Sequence, residues 1–296
     1  MPSFGDMVEQ TIGLLNDYTG QIPQQCSLIG SIGPTDTVIA VDDGNMLARG
    51  LIEIDDELIY LSGFDLAGNT GAVPQWGRGQ QGTTATTHAT GARVTTTPRP
   101  PRDRVKKTIN QVIASLYPDL YVVTTDEQAG TDRGEYGLAA TARFVIDIQT
   151  QFVGNPIEWE RVRWWRFNNA ADPTDFPTGV SVTIPEIPLG QTIRTVYAGE
   201  PNPLGNNSDD FETVTGLDAG AVDLVVFGAA ADLLIGQEAS RGQLATVEQA
   251  QRADKIQTGT SLATARFLKQ EYTLRLMAEK RRLLAKYPSR PHYEGV

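Results

Sequence analysis

The residues of this chain that could carry chemistry are few and widely spaced. Cys26 is the single cysteine, and His88 and His292 are the two histidines. A Cys/His zinc site would be short of ligands with that supply, and one cysteine excludes an internal disulfide framework while being compatible with a reducing compartment. Acids cluster in Asp42-Asp43-Gly44-Asn45 and in Asp55-Asp56, which raises calcium. Their spacing is not that of an EF-hand loop, and Asp and Asn are ordinary turn residues, so turns are the better reading. Gly77, Gly79 and Gly82 satisfy GxGxxG in letter. A Thr-rich stretch follows them instead of an apolar helix, and no acid stands about twenty residues on in a second strand, which argues against nucleotide binding. There is no P-loop, HExxH or GxSxG, and no paired carboxylates in an obviously apolar setting. The expectation is a protein that is not an enzyme, with no catalytic residues, no metal and no cofactor.

Aromatic residues offer one more possibility. Trp159, Trp164, Trp165 and Phe167 could form a platform for stacking sugars, but aromatic residues alternating along a strand more often fill a core or an interface.

The elements that must position these residues follow from periodicity. Thr246 to Tyr287 contains no proline, is broken only by Gly259, and repeats Leu262, Phe267, Leu274, Met277 and Leu284 roughly along one helical face. Ser3 to Tyr18, Arg102 to Leu116 and Leu217 to Gln237 also read as helices. The first carries Phe4, Val8, Ile12 and Leu15 on one side; Ala221, Leu224, Val225, Gly228, Ala229 and Leu233 give the third a small-residue face suited to close approach. Between them the helical period vanishes. Thr37 to Val41, Ala48 to Ile54 and Glu57 to Gly63 are strand-like, as are Ala142 to Ile148 and Ile157 to Phe167, with Gly, Pro, Asn and Asp marking turns.

The expected architecture is therefore α+β: a helical bundle with a long C-terminal helix and two inserted β modules, the second a β-sandwich. In residue numbers, bundle helix 1 spans 1–20, the first β module 35–98, bundle helix 2 101–118, the second module 119–213, and bundle helices 3 and 4 217–287. Residues 288–296 hold two prolines and should form an extended tail that orders on a partner.

Charge is unevenly placed. The net charge is −11, yet Arg266, Lys269, Arg275, Lys280, Arg281, Arg282, Lys286 and Arg290 face only Glu271 and Glu279 in their stretch. A basic end on an acidic body suits an acidic protein partner or a phosphate backbone. The first twenty residues lack the basic start and apolar run of a signal peptide, and the apolar window Ala219 to Gly236 is interrupted by Asp223 and Asp232, so no membrane segment is expected.

One motif stands apart. Arg78-Gly79-x-x-Gly82-Thr83, followed by His88-x-x-Gly91 and a strand bearing Val94, resembles a pattern met in structural proteins of tailed bacteriophages. Its content is structural, with glycines for positive φ and a His and a Thr able to bond the loop's own backbone. Taken whole, the order helix, β module, helix, β module, two helices and tail resembles the head-to-tail connector (adaptor) proteins of the phage neck. That resemblance implies a twelve-membered ring beneath the portal protein, lining the DNA channel, with a stopper or tail-terminator protein on the other side and non-specific contact with packaged DNA. It implies a location in the virion neck, and in the host cytoplasm during assembly. The portal-docking residues would be Lys280, Arg281, Arg282, Lys286, Tyr287, Arg290, His292 and Tyr293. The large second module departs from the minimal all-helical members. The alternative is a baseplate or fibre-attachment protein whose aromatic module binds host sugar.

Overall fold

The structure is a computed structural model that describes residues 2–19, 23–131, 133–152, 158–185, 190–248 and 260–288. Among these are five α-helices, the last of them a long C-terminal one, and four antiparallel sheets. The helices are α1 (Phe4–Thr19), α2 (Arg102–Ser115), α3 (Phe211–Thr215), α4 (Ala221–Glu248) and α5 (Thr260–Lys286). Strand numbers run in chain order from β1 to β14.

Contacts divide the chain into two compact units. One comprises residues 5–111 and 225–270, the other 1–4, 112–224 and 271–296.

The unit holding residues 5–111 contains the first β module. β1 (Gln24–Ser27), β7 (Arg93–Thr96), β3 (Gly50–Ile54) and β4 (Glu57–Leu61) form one sheet in the order β1-β7-β3-β4. β2 (Val38–Ala40), β6 (Thr70–Ala72) and β5 (Gly63–Asp65) form a smaller one in the order β2-β6-β5. Ile39, Ile52, Ile54, Ile59, Leu61 and Val94 are completely buried in a single core under these strands. The β3–β4 hairpin turns on Asp55-Asp56, with Ile54 opposite Glu57 and Asp55 at φ +52°. An aspartate tolerates that left-handed conformation better than most side chains. In the same unit Met7, Val8, Thr11 and Leu15 of α1 are buried at helical spacing, and Thr11 returns its hydroxyl to the Met7 carbonyl at 2.8 Å.

The other unit contains the second β module. β8 (Val122–Ala129), β14 (Gln191–Gly199), β10 (Ala142–Phe152) and β11 (Glu160–Arg161) form a sheet in the order β11-β10-β14-β8. β12 (Arg166–Asn168), β13 (Ser181–Thr183) and β9 (Glu135–Gly137) form the three-stranded sheet β12-β13-β9. Both sheets supply one core, including Ile148, Ile193, Tyr197, Tyr136, Val182 and Trp165. The run from Ile157 to Phe167 is not one continuous strand: it is split into β11 and the start of β12, with residue 157 outside the described set. Bonds from the Phe4 amide to the Asp209 carbonyl (2.8 Å) and a bridge between Ser3 and Asp210 tie residues 2–4 to the loop before α3.

The long helices differ in one respect from the periodicity. α4 continues past Gln237 to Glu248, so Thr246 to Glu248 belong to α4; α5 begins at Thr260, and residues 249–259 between them lie outside the described set. Ala239 and Ala245 favour the added turns, alanine being the best helix former, while before them Ala229, Ala230 and Ala231 are completely buried. A face of such small residues gives no strong period from which to read an end.

Candidate functional site

The phage-like motif folds into a loop locked by buried charge. Arg78 approaches Glu57 in a fork, with Nε 2.8 Å from Oε1 and Nη2 2.9 Å from Oε2. The same guanidinium donates to the Gly33 carbonyl through Nη1 and to the Thr86 carbonyl at 2.7 Å. Glu57 also accepts the amides of Gly79 and Thr86, each at 3.0 Å. Side-chain exposure is 6% for Arg78 and 0% for Glu57, so nearly every lone pair and proton of this pair is satisfied out of water.

His88 completes the cluster. Its Nε2 lies 2.9 Å from Oε2 of Glu57, and its Nδ1 2.7 Å from Oδ2 of Asp55. Burial opposes charge on the ring, but the bonds to Glu57 and Asp55 outweigh it and raise the pKa above the ordinary histidine value. With both ring nitrogens against carboxylates, the imidazolium donates twice. Burial likewise works to raise the Glu57 pKa, and the bonds from Arg78, His88, Thr86 and Gly79 overcome it and hold the carboxyl well below the usual range. Two cations thus meet two anions, which is how buried charge is tolerated.

The glycines serve this geometry. Gly79, Gly82 and Gly91 all have positive φ. Gly79 is the most constrained, because a Cβ there would lie 2.9 Å from the Thr83 carbonyl oxygen. Thr83 donates to the Gln80 carbonyl at 2.9 Å and accepts the Leu58 amide at 3.1 Å, holding the loop to β4. His88 bonds carboxylates through its ring instead of the loop backbone, contrary to the expectation from sequence, while its own amide and carbonyl bridge to Ile32. Sequence reading missed the acceptors. Asp55 looks like a turn residue and is one, while Glu57 opens an apolar strand, Glu-Leu-Ile-Tyr-Leu, where a buried acid signals a missing cation. A histidine enclosed at 1% exposure and saturated by carboxylates has no free valence for a substrate, so the arrangement is a structural lock.

A second polar cluster sits at the start of α2. Glu53 of β3, 5% exposed, accepts the Arg102 amide at 2.6 Å, while Arg102 also bonds Glu9 of α1 and Lys106 bonds Asp56 at 2.6 Å. Burial pushes the Glu53 carboxyl up to about 7 against the lowering influence of Arg102. Burial, with Asp42 and Asp43 nearby, pushes the Cys26 thiol up to about 11, which makes it a poor nucleophile and metal ligand. Among the described residues no group of three or more His, Cys, Asp or Glu side chains could hold a metal, and no helix is long and apolar enough to cross a membrane.

The basic end of α5 is largely answered from within the chain. Lys280 pairs with Asp119 at 2.7 Å, Arg275 with Asp223 at 2.7 Å, and Lys269 with Asp232 at 3.2 Å. Asp218 receives Arg282 at 2.5 Å and Lys286 at 3.7 Å. Arg281 is exposed and has no ion pair among the described residues. Tyr287 is half-buried beside Lys286 and Pro288, at the rim of a groove of about 370 Å³ that is also lined by Asp147, Gln149 and Arg194. Arg290, His292 and Tyr293 lie outside the described residues.

The aromatic platform is not assembled as a flat surface. Trp165 is buried in the core, Phe167 packs against that core, and Trp159 has Arg194 over its ring at 3.7 Å. Trp164 is exposed. No protein-family model matches the chain, and no curated protein matches it at a significant level.

Proposed function

We propose that this protein is a structural component of a tailed phage, a head-to-tail connector that forms a ring beneath the portal and joins capsid to tail. The reading assigns it no catalysis, cofactor or metal. Its partners are further copies of itself in a ring of twelve, the portal, and a stopper or tail-terminator protein, with non-specific contact to DNA in the channel. Its place is the neck of the virion, reached from the host cytoplasm during assembly. The second β module, sandwich-like in this reading, decorates the outside of the neck.

The observation that carries the proposal is the outward side of α5. Leu274, Met277 and Leu284 are 54%, 52% and 43% exposed, spaced along one face of a helix that buries Ala265 and Leu268 on its other side. Apolar area of that kind is the mark of an assembly surface. The inert loop lock adds support, because a buried Arg-Glu-His cluster fits a scaffold better than a reaction site.

The deciding experiment is an image of the virion at a resolution that traces chains. A ring of this protein between portal and tail is the expected result. Density for it at the baseplate or on a fibre, with glycan binding by residues 119–213, would replace the connector reading by the attachment one.

A further inference from the structure

Two exposed surfaces of this chain are both apolar and carry charges of opposite sign. On α5, Leu274, Met277 and Leu284 follow each other at intervals of three and seven residues, which places them on one side of the helix with Arg281 between the last two. All four are exposed. The remaining cations of this segment are taken: Arg275, Lys280, Arg282 and Lys286 pair with Asp223, Asp119 and Asp218 of the same chain. Among the described residues Arg281 has no ion pair, and it sits inside the apolar stripe.

The second surface is the edge of the small sheet in the first β module. β5 is an outer strand of the order β2-β6-β5, and Phe64, Asp65 and Leu66 run along it and just past its end. Phe64 is 42% and Leu66 55% exposed, and Asp65 between them is exposed. The Asp65 carboxylate accepts the Ala67 amide at 3.0 Å and has no cationic partner among the described residues. An edge strand that keeps large apolar side chains in water is a liability unless something covers it.

We infer that a second copy of this chain covers each surface: the outward face of α5 in one copy docks on the β5 edge of the next, with Leu274, Met277 and Leu284 against Phe64 and Leu66 and with Arg281 paired to Asp65. Charge selects a second copy as the occupant. Asp65 of a second copy, exposed next to Phe64 and Leu66, presents the opposite sign to Arg281 in the apolar stripe. A contact between two different patches is head to tail, and head-to-tail contacts build rings when the rotation closes. The ring itself rests on the connector reading; the pair of surfaces does not.

The test is a charge swap read by analytical ultracentrifugation of the full chain. Arg281→Asp alone and Asp65→Arg alone should each weaken self-association by about tenfold or more, and the double swap should restore it to within about threefold of the natural chain, the signature of direct pairing. Leu274→Ser with Leu284→Ser should abolish it, with circular dichroism confirming the fold. Self-association unmoved by every one of these variants would overturn the assignment while leaving the connector reading intact. A natural chain that stays monomeric at tens of micromolar, its stripe shielded only when portal is added, would overturn it in favour of portal as the occupant. Failure to bind portal in the same experiment would count against the connector reading separately.

Discussion

His88 Nε2 lies 2.9 Å from Glu57 Oε2, with side-chain exposures of 1% and 0%. A charged pair this enclosed is retained only when each partner is fully answered, and here Arg78 and Asp55 answer the remainder. The loop from Arg78 to His88 therefore owes its shape to four charged side chains more than to apolar packing. Removing any inner member leaves an uncompensated charge in the interior.

Glu57→Gln should thus be among the most damaging single changes in the first β module. It keeps the size of the side chain but strands Arg78 and the imidazolium of His88, at a cost of about 3–5 kcal/mol. Asp55→Asn should cost far less, about 0–1 kcal/mol, because Asp55 is 57% exposed and water can replace it. Urea denaturation of the two variants, with unchanged slope, measures the contrast; equal losses would show that the lock is not centred on Glu57.

The same cluster predicts an alkaline weakness. The folded pKa of His88 is raised, so the stabilisation it gives is fully present below its unfolded value and is lost as pH rises through the folded one. The folded pKa of Glu57 is lowered, so its contribution is present above the unfolded value of 4.5 and is lost only in strong acid. Melting temperature against pH should fall on the alkaline side for the natural chain. His88→Gln should be less stable near neutrality and lose that alkaline slope; a parallel profile for both would remove His88 from the explanation.

Glu53 gives the opposite sign for a carboxyl. Its pKa rises from 4.5 to about 7 on folding, so the folded state resists its ionisation, and stability falls as pH climbs through that interval. Glu53→Gln retains an oxygen for the Arg102 amide and abolishes the ionisation. Above neutral pH the variant should be more stable, on the order of 1–3 kcal/mol, and near pH 4 the two should converge. Denaturation midpoints at the two pH values decide it.

How much of this was legible varies with the physics behind each element. α1 and α2 lie within a residue or so of their expected positions, because Met7, Val8, Leu15, Val105 and Ile109 are buried at a clean helical spacing. The β3–β4 hairpin was legible because Asp55-Asp56 interrupts two apolar runs. The α4–α5 boundary was not, since small residues carry little periodic signal and the whole stretch favours helix. Nor was the lock: Arg78 and His88 were visible as a motif, but Glu57 lies 21 residues before Arg78, and no local pattern announces a partner that only strand pairing supplies. The cations of α5 read as a free basic arm for the same reason, their acids at Asp119, Asp218 and Asp223 being distant in sequence.

Removal of the last nine residues, from Pro288 onward, should separate folding from attachment. α5 closes with the Tyr287 amide on the Leu283 carbonyl at 2.8 Å, so a chain cut after Tyr287 keeps the final turn and the half-buried ring beside Lys286. The nine residues lost include two prolines and few apolar side chains, so little core goes with them. Circular dichroism and melting temperature should be near those of the full chain. Attachment of tails to filled heads in a complementation assay should fail, since proline-stiffened segments dock at low entropic cost and His292 and Tyr293 offer flat contacts to a portal. Salt should weaken the full chain's capture by portal if Arg290 contributes charge. Lys280→Ala and Arg282→Ala should instead cost only about 0–1 kcal/mol of fold stability each, because their exposed partners Asp119 and Asp218 stay solvated. Normal virions from the truncated chain would remove the tail from the attachment site, and a truncated chain that melts early would assign it to the helical packing instead.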